Sequence, residues 1–162
     1  MIHNKEGKKK MNAYLLFGVI GALLTGLAIG TQSTLSSTIG TFIGSFRTGV
    51  LMNLVGGSVA GILFLILVLI NGKAYVKAPP MAWLLLVIGG TLGIMIITGV
   101  SFSLQRAGVA AGLATIILGQ MIVSLIADAK GWGGSAPIPV TLPRILGLLL
   151  LAAGVFLMVP KR

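Results

Sequence analysis

Charged residues stand so far apart in this chain that the intervals between them are long enough to cross a lipid bilayer. Met11–Phe46 holds no Asp, Glu, Lys or Arg over 36 residues, Thr48–Gly72 none over 25, Ala78–Gln105 none over 28, and Ala107–Ala127 none over 21. A last interval, Ile145–Pro160, gives 16, with Arg144 placed to snorkel from its first turn. A helix needs about 20 apolar residues, with a range of about 17–25, to traverse the hydrocarbon. All five intervals qualify, the last by including Val140–Pro143. Strands of a membrane β-barrel would alternate with period two over about ten residues, and no such alternation is present. The expected fold is all-α, a bundle of five transmembrane helices.

Composition excludes the aqueous alternative. Of 162 residues 56% are hydrophobic and 9% charged, and mean hydropathy is +1.08. A soluble domain carries about a quarter charged residues; with so few, an apolar surface could not be covered in water, whereas lipid makes no such demand. The net charge of +10 rests on twelve cations against Glu6 and Asp128. Such an excess suggests nucleic acid where it forms a basic stripe. Here the cations cluster at the termini or stand singly between apolar runs, so no nucleic-acid partner is expected and the charge is assigned to anchoring and orientation. The chain has no cysteine, and its one histidine, His3, lies in the polar N-terminal segment. Disulfides, thiolate nucleophiles and cysteine metal sites are excluded, and no cofactor or metal is expected.

Residues 1–12 are expected to be a disordered basic tail, with Met11 an alternative native start if the preceding residues are vector-derived, and residues 13–162 a single five-helix domain. Helices are placed at Ala13–Thr31, Thr48–Ile70, Pro80–Ser103, Gly108–Ala127 and Thr141–Val159. Asn71-Gly72, Pro79-Pro80 and Gly131–Pro137 supply the loop punctuation. Trp83 and Trp132 fall near predicted interfaces, where indole rings settle. The uncharged stretch Gly30–Ser45 has nine Ser, Thr or Gln among its sixteen residues. It reads either as a segment at a wet cavity or the interface, which a short extra helix would suit, or as a plain connector.

With five spans, the N-terminal segment, Lys73, Lys77, Lys130 and Arg144 share one side of the membrane, and Arg47, Arg106, Lys161 and Arg162 the other. That is eight cations against four, which favours the N-terminus in the cytoplasm; without the tail it is four against four, as expected of a chain that inserts both ways. Glycines four apart, at Gly26/Gly30, Gly40/Gly44, Gly57/Gly61, Gly89/Gly93 and Gly108/Gly112, open flat strips for close helix packing.

No enzyme site is visible: there are no paired carboxylates, no HExxH and no Ser–His–Asp set. Polar residues at membrane depth are expensive and mark function by default. The candidates for solute contact are Gln32, Asn53, Gln120 and Ser124, with Asp128 for a cation or coupling ion and Gln105 a further embedded amide. Gln120, Ser124 and Asp128 are one helical turn apart on one face, running from mid-helix to its edge. They form either a solute-binding wall or structural contacts, Gln120 bridging helices and Asp128 pairing with Lys130 or Arg144.

The run Arg106–Ala111, then Gly119-Gln120 and Ser124–Asp128, resembles the YdcZ-type family of the drug/metabolite transporter superfamily. So do Gln32, Ile39-Gly40, Gly44-Ser45 and Gly57, and in the last helix Arg144–Gly147 with Ala153–Val155. The sequence departs from that pattern at Ser36, where the family has Asn, and at Phe46, where it has Pro, so no solute contact is carried over to Ser36. The resemblance implies a multi-pass protein of the bacterial inner membrane and a half-sized secondary transporter of a small organic solute. It further implies an antiparallel homodimer, or a heterodimer with a paralogue, equivalent to the inverted repeat of larger transporters. The first helix lacks the Glu of the four-helix multidrug exporters, which leaves Asp128 as the acidic residue at membrane depth. The alternatives are a passive or holin-like pore and a structural subunit without transport of its own.

Overall fold

The computed structural model describes residues 3–72, 78–132 and 136–159, with side chains described from residue 15 onward except at Asn71. Lys73, Lys77, Lys161 and Arg162 of the charge comparison, and Gly133–Ser135 of the glycine-rich loop, lie outside the described residues. Among the described residues there are five helices and no strand: α1 His3–Ile43, α2 Ser45–Asn71, α3 Pro80–Ala107, α4 Val109–Lys130 and α5 Leu142–Met158. Four of them contain apolar segments of 22 to 29 residues, and α5 has 17. At 1.5 Å per residue α5 is about 25 Å long, at the short end of what spans hydrocarbon.

Two expected boundaries change. The first helix does not stop at Thr31: α1 runs through Gly30–Ile43, so that stretch is neither a connector nor a separate short helix. It contains no proline, and its threonine hydroxyls find partners on the helix itself. Thr31, Thr34 and Thr38 donate to the carbonyls of Leu27, Gly30 and Thr34, at 2.9, 2.9 and 3.0 Å. A hydroxyl bonded to the carbonyl one turn back presents mainly its methyl outward, which makes a Thr-rich helix tolerable in lipid. At the other end, helix is continuous from His3, so the segment expected as a tail leads into α1 without a break.

The second change is at the turns. A single residue, Gly44, separates α1 from α2, and Gly108 alone separates α3 from α4. Gly44 has φ 84° and ψ 150°, Gly108 φ 83° and ψ 159°, a region that a Cβ closes to other residues. Both use the same hydrogen bonds. The N–H of Gly44 donates to Gly40 O (3.0 Å) and its carbonyl accepts from Thr48 N (3.1 Å). At Gly108 the partners are Leu104 O (3.0 Å) and Gly112 N (2.9 Å).

The two turns lie side by side at one end of the bundle, bridged by Gln105, whose Nε2 donates to Ser45 Oγ (3.2 Å) and Ser101 Oγ (3.0 Å). Helices α1, α2 and α3 all touch one another, α4 packs on α3 and more lightly on α1, and α5 touches α4 alone. The tightest packing is at the turn end: Ser36, Thr48, Ser101 and Leu104 are almost fully buried. Ser36 on α1 donates to Ile97 O on α3 at 3.3 Å. Small side chains make this possible. A Cβ on Gly40 would overlap Ser101 and Gln105, and one on Gly49 would overlap Thr98 Oγ1 and lie 2.8 Å from Ile94 O. Lipid is as apolar as Leu, so close backbone approach rather than oily burial holds such helices together.

Candidate functional site

Toward its middle the bundle opens. A cavity of about 350 Å³ lies between α1, α3 and α4, walled by Ile96, Ile97, Val100, Leu113, Ile116 and Ile117 among others, with Gln32, Ser33, Ser36 and Gln120 as its polar side chains. Ligand pockets start at about 300 Å³ and are mostly apolar with a few placed polar groups, which describes this one. Among the described residues, no charged side chain lines it.

The turns set the depth of the two glutamines. Gln32 lies twelve residues before Gly44, and Gln120 twelve residues after Gly108, each about 18 Å along its helix. Because the turns are adjacent, the two amides meet at one level, a little beyond the middle of a hydrocarbon layer about 30 Å thick. Among the described residues, Ser36 is the one polar side chain of the cavity that hydrogen-bonds within the chain, to Ile97 O. The two carboxamides, each with two donors and an acceptor, face the cavity exposed.

Ser124 and Asp128 are separated from this pair. They line a neighbouring groove of about 490 Å³ between α4 and α5, with Met121, Leu125, Arg144, Gly147, Leu148 and Leu151. The residue common to both spaces is Ile117. Asp128 pairs with Arg144, Oδ2 to Nη1, at 3.1 Å; of the two partners left open by the sequence, the arginine is the one it meets. Asn53 lines neither space. Its Nδ2 donates to Gly49 O one turn back at 2.8 Å, and its Oδ1 lies 2.7 Å from where a Cβ on Gly93 would stand. It fills the contact between α2 and α3.

Sequence reasoning did not find the apolar wall on α3 or the pairing of Gln32 with Gln120. The available signal was their equal distance from Gly44 and Gly108, which is informative only once both glycines are known to be turns.

Residues 17–157 match a family model described as "Putative inner membrane exporter, YdcZ". No curated protein and no solved structure matches the chain. The matched segment takes in every described helix, from within α1 to the last turn of α5, together with both glutamines and both single-glycine turns. A multi-pass, all-helical chain with an uncharged cavity at membrane depth, matched over that span, belongs to the YdcZ family.

Proposed function

We propose that this chain is one half of a small secondary transporter, and that an organic solute passes through the cavity between α1, α3 and α4 by way of Gln32 and Gln120. The observation that carries the proposal is the presence of two carboxamides at equal depth in a mostly apolar, uncharged cavity. Amides at membrane depth are costly unless something hydrogen-bonds to them. A solute with matched donors and acceptors does so, and the absence of a charge on the wall lets it leave again.

An odd number of spans puts the two ends of the chain on opposite sides of the membrane. A second copy inserted upside down then generates the inverted two-fold on which alternating access relies. The proposed assembly is therefore an antiparallel homodimer, or a heterodimer with a paralogue of opposite orientation. The described cations suit either orientation: Arg47 and Arg106 lie at the turn end, Lys130 and Arg144 at the other.

The test is a thermal-shift screen of the detergent-purified protein against uncharged and cationic metabolites, repeated with Gln120→Leu. A solute that raises the unfolding midpoint of the native chain is expected to lose that effect in the variant, whose dimer stays intact by light scattering. Unchanged stabilisation by the solute in Gln120→Leu removes the site.

A further inference from the structure

The α4–α5 groove has a chemistry of its own. Its wall is apolar, formed by Met121, Leu125, Leu148 and Leu151, and a pair of opposite charges stands at one end. Asp128 lies twenty residues beyond Gly108, about 30 Å along α4 and so one hydrocarbon thickness from the turn end. Arg144 is the third residue of α5. The pair therefore sits at the bilayer surface, and the groove descends from it into the lipid. Lys130 and Trp132 suit that level, the ammonium 5.3 Å from the indole ring and the ring exposed, as indoles that anchor at an interface are.

The ion pair is not saturated. The side chains of Arg144 and Asp128 keep 34% and 44% of their surface exposed, and Nη1, although shielded, makes no well-aligned hydrogen bond. Arginine has five donors and a carboxylate about four acceptor positions, so each retains capacity for a second partner. Backbone contacts fix the site: Asp128 O accepts from Ile138 N (2.9 Å) and Gly131 N (3.2 Å), which ties Ile138, shortly before α5, to the end of α4.

We propose that this groove binds one phospholipid with a primary ammonium headgroup, a phosphatidylethanolamine. Its phosphate faces Arg144 and Lys130, its ammonium faces Asp128, and an acyl chain lies along Met121, Leu125, Leu148 and Leu151. Charge complementarity selects this occupant. A zwitterion matches a fixed plus–minus pair at both ends, whereas a quaternary choline cannot donate to the carboxylate and an anionic headgroup brings Asp128 no second cation.

Gly147 supplies the test. Nothing lies within 4 Å of a Cβ built on it, and it lines the groove. Gly147→Leu therefore places a side chain in the acyl channel while leaving both charged residues in place, and a leucine is better than glycine within a helix. Delipidated protein is titrated with phosphatidylethanolamine, phosphatidylcholine and phosphatidylglycerol of identical tails, and with soluble glycerophosphoethanolamine, reading the unfolding midpoint and the lipid retained per chain by native mass spectrometry. The native chain is expected to retain and be stabilised by phosphatidylethanolamine more than by the other two lipids, with no effect of glycerophosphoethanolamine. Gly147→Leu should lose the retained lipid while unfolding no earlier than the lipid-free native chain, and Asp128→Asn should lose the preference for ethanolamine over choline. Equal stabilisation by all three lipids overturns the proposal. A preference that survives Gly147→Leu, or an equal effect of the soluble headgroup, overturns it too.

Discussion

Gly49 and Thr98 set how closely α2 can approach α3. Thr98 Oγ1 occupies the space a side chain at residue 49 would need, is buried, and has no hydrogen-bond partner among the described residues. Gly49→Val must push the helices apart against backbone, at Ile94 O and Thr98 N, and overpacking of this kind costs about 1–3 kcal/mol. Gln105 holds the same region by hydrogen bonds, to Ser45 and Ser101. Side-chain hydrogen bonds between membrane helices average about 0.6 kcal/mol, so Gln105→Leu should cost less than Gly49→Val. Unfolding midpoints in detergent check that order; a larger loss from Gln105→Leu would mean that polar bridging, not close packing, holds the turn end together. The same comparison bears on Asn53, whose amide is engaged by Gly49 O and the surface of Gly93. Its replacement disturbs the packing of α2 on α3.

The helices show which parts of this fold were open to sequence reasoning. The intervals between charges located the spans, because hydrocarbon excludes charge whatever the helices do to one another. The turns were hidden because glycine serves two purposes. Gly40 and Gly112 accept a neighbouring helix, whereas Gly44 and Gly108, their partners at a spacing of four, reverse the chain, and the letters alone do not distinguish the two. The Thr- and Ser-rich end of α1 hid its helix for a related reason: composition suggested a break, yet its threonine hydroxyls bond carbonyls about one turn back and leave the helix intact, while Gln32, Ser33 and Ser36 line the cavity. Substitution separates these roles. Gly44→Ala and Gly108→Ala each force a Cβ into a conformation reserved for glycine, at about 1–3 kcal/mol. Gly57→Ala, in the open middle of α2, should be neutral or stabilising by up to about 1 kcal/mol. Thermal unfolding of the three variants is the check, and equal losses at all three positions would remove the special status of the turns.

At the scale of the molecule, two adjacent turns and two helices of matching reach bring Gln32 and Gln120 to one level of one cavity. Gln120 could be singled out from its position in the middle of a charge-free span, and Gln32 from a polar stretch. Their meeting could not, since it depends on how four helices fold against one another. For the same reason Ser124 and Asp128, on one face of α4 with Gln120, lie in a different space: the face turns with the helix, and α5 covers its far end. The central claim is that water and solute, not lipid, reach these glutamines. The chain has no cysteine, so single cysteines can be placed cleanly, and only a thiol that ionises in water reacts. The decisive measurement is the rate at which a small water-soluble maleimide modifies Gln32→Cys and Gln120→Cys in membranes, against Val59→Cys on the exposed middle of α2. Rapid modification at both glutamine positions with an inert Val59→Cys is predicted; a cysteine at position 120 as unreactive as the one at 59 would contradict it.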